Sequence, residues 1–420
     1  MRRKFVPKLM LALILALAGL NSFAVDKLVD YPIRTDYGVT DSAFTNSISG
    51  LLRSRVVGGN KIEVLSNGVE YFPAMLSAIT NAQKTITFEN FIWRSGEVSD
   101  RFIDALTERA CAGVKVHCTI DGFGALKLHT KDKDRLRNAG VQLKIFNRIR
   151  PWNLLHWNHR THRKTLVIDG KIGFIGGICI ADEWDGNAQS HAVWRDTEFR
   201  VEGPVVAEIQ SIFMDNWIRT SSAVLHGPDY FPVLTNSGSI LAQAFKSGPQ
   251  DGAENARLMY LYSIAAARKS IRFCHSYFVP DDLALDMLIE AARRGVKIEI
   301  VTPGVIDKNM VRRAARSRWH KMMDAGIEFW EYEPAKLHNK IMIVDDTWVT
   351  CGSINFDDRS FRINDEGNMN VYDPEFAKQM IDIFELDKAK SVKIDPVKFK
   401  KRPFLERVYE NFCALFRSQL

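Results

Sequence analysis

The sequence predicts an α/β protein made of two copies of one unit. Three observations carry that expectation: two halves of the chain follow one order of motifs, helical stretches alternate with strand-like runs in both, and several of those runs are almost continuously apolar. Composition agrees, since 46% hydrophobic and 25% charged residues over 420 positions is ordinary globular usage with room for two or three domains.

The chain opens with Arg2, Arg3, Lys4 and Lys8, an apolar run from Leu9 to Leu20, and then Asn21-Ser22-Phe23-Ala24. Twelve residues make a helix of about 18 Å, short of the ~30 Å hydrocarbon core, and small residues at 22 and 24 suit cleavage. Residues 1–24 are therefore expected to be an export signal, with an uncleaved anchor as the alternative. Residues 25–50 read as an amino-terminal extension, 51–220 as the first unit, 221–237 as a Gly/Ser/Pro-rich linker, 238–390 as the second unit and 391–420 as a tail.

The repeat starts where Ala78 to Ile86 matches Ser263 to Ile271, each a helix end running into a strand. Both copies continue with a helical pattern closed by Ala-Gly-Val-Lys-Val (112–116) or Arg-Gly-Val-Lys-Ile (294–298), where Gly113 and Gly295 are expected to cap helices. Val114–Asp121 and Val296–Thr302 are apolar enough for strands of a sheet covered on both faces. Next comes H-x-K-x-x-x-x-D, as His162, Lys164 and Asp169 in one half and His338, Lys340 and Asp345 in the other. Gly176-Gly177 and Gly352-Ser353 follow at the same offset, then a strand, and a helix starting near Pro204 or Pro374. Ile240–Phe245 is expected to open the second unit as Ile62–Leu65 opens the first.

Residues i and i+2 of a strand share a face, so each motif projects a histidine and a lysine together while Thr165–Ile168 and Ile341–Val344 feed the core. One such pair on a strand is unremarkable; two at matched places in a repeat point to phosphodiester chemistry. A neutral imidazole attacks phosphorus and a protonated one serves the departing oxygen, with a pKa near 6.5 suiting both roles. Two lysines supply charge to the phosphoryl oxygens, each such donor being worth roughly 2.7–4 kcal/mol by analogy with oxyanion-hole deletions. No metal and no cofactor is expected. Six cysteines without a C-x-x-C pair exclude a disulfide framework and a structural zinc site, and Cys118 and Cys274 read as buried hydrophobes. Apart from residues 1–24 the chain has 53 basic against 50 acidic residues, too mild a surplus to argue for nucleic acid.

The paired H-x-K-x4-D motifs resemble those of the phospholipase D superfamily, over about 370 of the 420 residues. Within it the chain is similar to bacterial two-motif cardiolipin synthases, through Thr161-His162-Arg163-Lys164, Ile180-Ala181-Asp182-Glu183, Trp194-Arg195-Asp196-Thr197 and the tail from Arg402 to Phe416. The resemblance implies two homologous α-β-α sandwich domains packed pseudo-symmetrically around one active site, in a monomer that is an internal dimer. It implies a covalent phosphatidyl-histidine, which we place on His162 with His338 as the acid, and phosphate held by Lys164 and Lys340. Asp169 and Asp345 are expected to orient groups around the histidines. Gly177, Ser353, Asn355, Asp196 and Glu366 match the substrate-binding positions, Asn355 as a phosphate donor and Glu366 as the group fixing a histidine tautomer across the pair. Cys179 stands where relatives carry the Asn analogue, which removes one neutral hydrogen bond, about 1 kcal/mol.

The implied reaction joins phosphatidylglycerol, or a related donor, to a lipid alcohol, forming cardiolipin. Hydrolysis to phosphatidic acid, a metal-independent secreted nuclease and a non-enzymatic lipid-binding module are the alternatives. Partners are therefore phospholipids and an anionic membrane surface, and no nucleic acid. Trp152, Leu155 and Trp157, among arginines just before the first motif, suit the headgroup level of a bilayer. Leu405, Val408, Phe412, Leu415 and Phe416 of the basic tail recur at helical spacing, as on an interfacial helix or one docked on the domain. The expected location is the periplasmic side, peripheral to the inner membrane.

Overall fold

The structure, a computed structural model, describes residues 29–148, 158–305 and 309–419. The expected signal over 1–24 lies outside the described residues, as do Trp152, Leu155 and Trp157.

The first helix among the described residues is α1 (Ser42–Leu52). The first half then runs β1 (Val57–Ser66), α2 (Gly68–Thr80), β2 (Thr85–Asn90), α3 (Glu97–Cys111), β3 (Lys115–Asp121), α4 (Thr130–Asn138), β4 (Gln142–Phe146), β5 (Thr165–Ile168), β6 (Ile172–Gly176), β7 (Trp194–Arg195), β8 (Thr197–Glu202) and α5 (Val206–Ser221). The second half runs β9 (Ile240–Ser247), α6 (Asn255–Ala266), β10 (Ser270–His275), β11 (Phe278–Val279), α7 (Asp282–Arg293), β12 (Lys297–Val305), α8 (Asn309–Asp324), β13 (Glu328–Leu337), β14 (Lys340–Val344), β15 (Trp348–Gly352), β16 (Phe356–Asp357), α9 (Asp358–Arg362), β17 (Glu366–Tyr372) and α10 (Pro374–Ala389). The tail adds β18 (Ser391–Lys393), α11 (Pro396–Lys400) and α12 (Phe404–Ala414).

The repeat becomes one continuous sheet in the order β18-β13-β12-β10-β14-β15-β17-β9-β1-β8-β6-β5-β2-β3-β4. Either side of the central β9–β1 pair the order is mirrored: β1 answers β9, β8 answers β17, and so on out to β4 and β13. Val57 opposite Ala242 and Asn60 opposite Ile240 make that central antiparallel pair, interrupted by a register shift. The crossover strands β2, β3, β4 and β10, β12, β13 pair in parallel, while β5, β6, β8 and β14, β15, β17 pair antiparallel. The helices preceding β3 and β12 stop as expected. Val114 and Val296 donate backbone N–H to the carbonyls of Arg109 and Ala291 around Gly113 (φ +93°) and Gly295 (φ +94°), a left-handed conformation that favours glycine.

Among the described residues three large apolar cores result, besides a small cluster around Trp217. One lies under α2, α3 and α4, a second under α6, α7 and α8, and the third joins Ile175, Phe199 and Ile209 to Ile343, Met369 and Phe376, spanning both halves beneath α5 and α10. That shared core fixes the halves to each other, so the sheet is covered on both faces as its apolar strands demand.

Two segments outside the expected units pack on the second half. Helix α1, placed by sequence in an extension ending at residue 50, runs to Leu52 and packs on the second half. Phe44 stacks on Tyr262 at 5.0 Å and meets Trp348 edge-on at 5.9 Å. An amphipathic helix with no partner nearby in sequence buries its apolar face wherever the tertiary fold offers one. The tail likewise starts as an edge strand of the second half, β18 pairing antiparallel with β13, and buries Phe399 and Cys413. Its α12 nevertheless leaves Phe404, Leu405, Val408, Phe412 and Leu415 exposed. Among the described residues no helix is long and apolar enough to cross a membrane.

Candidate active site

Each motif histidine lies just before the strand that carries its motif, β5 or β14, where the chain meets the other half. The His162 N–H donates to the Asp365 carbonyl at 2.8 Å, and the His338 N–H donates to the Arg195 carbonyl at 2.8 Å. The same seam pairs Thr161 with Asp365, and β7 with the end of β13. Arg163, fully buried, reinforces it by donating from Nε to the Glu366 carbonyl at 3.2 Å while its guanidinium pairs with Asp215 at 3.0 Å.

Crossing the seam exchanges carboxylates. His162 Nδ1 lies 2.9 Å from Glu366 Oε2, and His338 Nδ1 lies 2.7 Å from Asp196 Oδ2. Each half thus orients the imidazole of the other by engaging its Nδ1. Lys164 and Lys340 each donate Nζ to the carbonyl of their own motif's histidine at 2.6 Å. The two motifs share one electrostatic neighbourhood, since Lys164 acts on both His338 and Lys340 and is itself acted on by Asp196 and Glu366.

The two dyads differ in their charge. Burial, followed by the Lys340 ammonium, pushes His338 down to about 4, so it is neutral at pH 7 in the free site. Burial alone would raise the Asp196 carboxyl, but His338, Lys340 and the Thr197 amide outweigh it and hold it below the usual range. Glu366 goes the other way: burial lifts it to about 7 despite Lys164 and the hydroxyls of Ser353 and Ser360. Burial also pushes Lys340 down to about 8 and lowers Lys164.

Several expected roles change. Asp169 and Asp345 do not orient the histidines. Asp169 accepts the backbone N–H groups of Gln83, Lys84 and Thr85 at 2.7–2.9 Å, and Asp345 those of Arg268, Lys269 and Ser270 at 2.6–3.0 Å. A five-residue strand at ~3.3 Å per residue separates Lys340 from Asp345 by roughly 16 Å, so each aspartate ties down the start of a neighbouring strand. Ser353, expected to touch substrate, has no exposed surface and donates its hydroxyl to Glu366. Its counterpart Gly177 leaves room for Asp196, whose Oδ1 would sit 2.8 Å from a Cβ there. Asp196 and Glu366 act on the histidines rather than on substrate directly. Asn355 lies beside the second motif: its Oδ1 accepts from Ser276, which also accepts from Lys340 at 3.2 Å. Cys179 is fully buried beside Lys164, and burial raises its thiol, which keeps it protonated and inert.

Four further residues border the site. Trp184 and Trp194 stand edge-on to His338 at 5.3 and 5.1 Å, and Trp184 Nε1 donates to Asp196 at 3.1 Å. Phe91 meets His162 at 5.0 Å and Lys164 at 5.3 Å, where the other half has Ser276. The repeat itself held that signal, because Phe91 and Ser276 stand at one offset from the matched Lys84 and Lys269.

A buried pair of carboxylate-held imidazoles, each with a lysine, on a duplicated sheet defines an enzyme of the phospholipase D type that transfers phosphodiesters. The family described as "Cardiolipin synthase, PLD-like domain" matches residues 75–217 and 260–388. Over 360 residues the chain is 35% identical to a cardiolipin synthase of Geobacillus thermodenitrificans, covering 85% of this chain and 72% of that one. Over 365 residues it is 34% identical to a probable cardiolipin synthase of Bacillus subtilis, covering 86% and 72%. A phosphatidylserine synthase structure from Haemophilus influenzae superposes with a TM-score of 0.65 at 13% identity, covering 90% of this chain and all of that one, which speaks for the fold. The chain belongs to the cardiolipin synthase family of the phospholipase D superfamily.

Proposed function

We propose that the chain is a phosphatidyltransferase that moves a phosphatidyl group from phosphatidylglycerol to a hydroxyl of a second lipid, forming cardiolipin. The observation that carries this reading is the exchange of carboxylates: Glu366 holds His162 and Asp196 holds His338 across the seam, beside two buried lysines.

His162 Nε2 attacks phosphorus, the bond from phosphorus to the glycerol oxygen breaks, and His338 gives that oxygen its proton. A lipid hydroxyl then returns a proton to His338 and attacks phosphorus, and the P–N bond breaks. Burial and then Lys340 hold His338 near 4 in the free site, so it takes up a proton as substrate binds, the diester's negative charge favouring the imidazolium. A donor with a nitrophenolate leaving group, which needs no acid, separates the roles. His338→Ala is expected to release one burst of nitrophenol and leave a phosphatidyl adduct on His162, whereas His162→Ala releases none; a burst from His162→Ala alone reverses the assignment. Mass spectrometry of products from labelled phosphatidylglycerol distinguishes cardiolipin from phosphatidic acid, and accumulation of phosphatidic acid alone refutes the transferase.

We also place the enzyme on an anionic membrane surface, on the periplasmic side if residues 1–24 direct export. The exposed apolar row of α12, beside Lys398, Lys400, Lys401 and Arg407, supports that placement. Leu405→Glu with Phe412→Glu is expected to weaken flotation with phosphatidylglycerol vesicles, and unchanged flotation removes α12 from the contact.

A further inference from the structure

The segment leading into the first motif carries a further cation on its active-site face. Thr161 bridges to Asp365 in extended pairing, so Arg160 and His162 flank it on one side of the chain. Thr161 and Arg163 point the other way, to Asn216 at 3.1 Å and Asp215 at 3.0 Å on α5. Arg160, His162 and Lys164 therefore form one row, with about 6–7 Å of extended backbone from each to the next. The Arg160 guanidinium lies over the Phe123 ring at 4.1 Å, and Phe123 precedes Gly124, which packs on the Phe91 that meets His162. Its buried Nε has no acceptor, and among the described residues Arg160 makes no ion pair. Asp121, the carboxyl that acts on it, is taken up by the amides of Phe123, Gly124 and Thr161.

Arg359 of α9 comes to the same row from the other half. It donates to the carbonyl of Asn158 at 3.1 Å and to its side-chain oxygen at 2.6 Å, two residues before Arg160, and to the Gln419 carbonyl at 3.2 Å. These partners are neutral. Burial, and then Arg160, push Arg359 down to about 10 against the pull of Asp357 and Glu366. Two half-buried guanidiniums without a carboxylate in contact cost free energy until an anion joins them, and their planar donors match a phosphodiester. The repeat supplies a comparison. Before the second motif the place of Arg160 is taken by Lys336, over the Trp194 ring at 5.5 Å. The residue six beyond Gly177, matching Arg359 six beyond Ser353, is Glu183, which pairs with Arg94. Two cations thus meet at the first motif, where the repeat puts an acid in place of one of them.

We propose that Arg160 and Arg359 hold the phosphodiester of the acceptor lipid, the one that does not react, while its glycerol hydroxyl meets the phosphatidyl-enzyme; this rests on the transferase reading above. In phosphatidylglycerol that phosphate stands three carbons from the attacking hydroxyl, a span of the same scale as the step from Arg160 to His162. No bond is made or broken at the subsite. An acceptor carrying a negative charge is bound and oriented there, whereas water gains nothing from it, so the pair favours transfer over hydrolysis.

Transfer of a dihexanoylphosphatidyl group by the full-length protein to free glycerol and to glycerol methyl phosphate, which bears the diester without acyl chains, tests this. The native enzyme is expected to use the diester-bearing acceptor with the higher kcat/KM. Arg160→Gln should lower the ratio of diester-bearing to free glycerol on the order of tenfold to a hundredfold, the scale of a hydrogen bond to a charged group. Arg359→Gln should lower it too, and Arg160→Lys, which keeps the charge, should lower it less. Lys171→Gln, an equal change of charge on the exposed turn after β5, leaves the ratio where it was. A ratio that survives Arg160→Gln, falls as far with Lys171→Gln, or falls further with Lys336→Gln overturns the proposal and leaves the transferase standing. Transfer to neither acceptor, with phosphatidic acid as the only product, refutes the transferase and the subsite together.

Discussion

The two halves present the same histidine and lysine in different surroundings. Around the second motif, Lys340 reaches Ser276, Ser276 donates to Asn355, and His338 stands edge-on to two stacked indoles, paired with an ionised Asp196. Around the first, Lys164 and His162 face Phe91 and the buried Cys179, while Glu366 gathers His162, Ser353 and Ser360. Duplication built a symmetric scaffold, and the divergence lies in the side chains that set proton affinity. One dyad carries a carboxyl held below the usual range and the other a carboxyl lifted to about 7, a difference that fits the two imidazoles to the unequal tasks proposed for them.

Neutralising the carboxylates breaks this contrast most severely. Asp196→Asn is expected to cost on the order of 10³–10⁴ in kcat, by analogy with removing the buried charge behind a catalytic imidazole. Glu366→Gln, which mimics a state the group already half populates, should cost about tenfold less. Equal losses in steady-state assays would mean that the dyads carry the same charge.

A smaller effect appears in the pH profile. The kcat/KM of the native enzyme reports groups of the free site. Lys340, lowered by burial and by Lys164 to about 8, is charged below that pH and loses its proton above it. Above that pH the fall of kcat/KM should steepen by about a further tenfold per pH unit, beyond the decline that proton uptake by His338 already imposes. Lys340→Arg lowers the rate but should remove that added steepening, because the guanidinium stays charged. A native profile whose slope does not change up to about pH 10 would show that Lys340 keeps an ordinary affinity for its proton.

The smallest effect on turnover belongs to the motif aspartates. Asp345→Asn weakens three charge-assisted backbone contacts and is expected to lower stability by about 1–3 kcal/mol while kcat changes only a few-fold. Asp169→Asn, at a less buried site, should lower the denaturation midpoint less. A collapse of kcat in a variant of unchanged stability would return these residues to the chemistry.

Much of this was legible in the chain. Gly113 and Gly295 cap the helices they were expected to cap, the apolar runs are strands of a doubly covered sheet, and both H-x-K pairs converge on one site. The motif's final aspartate misled because an acidic residue at fixed spacing from a histidine looks catalytic, whereas a strand carries it roughly 16 Å from the motif's lysine. Ser353 misled for a related reason: its hydroxyl found a buried carboxylate before it could find substrate.

By itself the sequence determined the repeat, the strand and helix order and the identity of the reacting side chains, because periodicity, caps and motif spacing act between near neighbours. Tertiary structure decided which carboxylate serves which histidine, across separations of 204 and 142 residues, and that α1 completes the half farther along the chain. It also set the proton affinities, since burial and the field of groups brought together by folding exist only once the seam is closed.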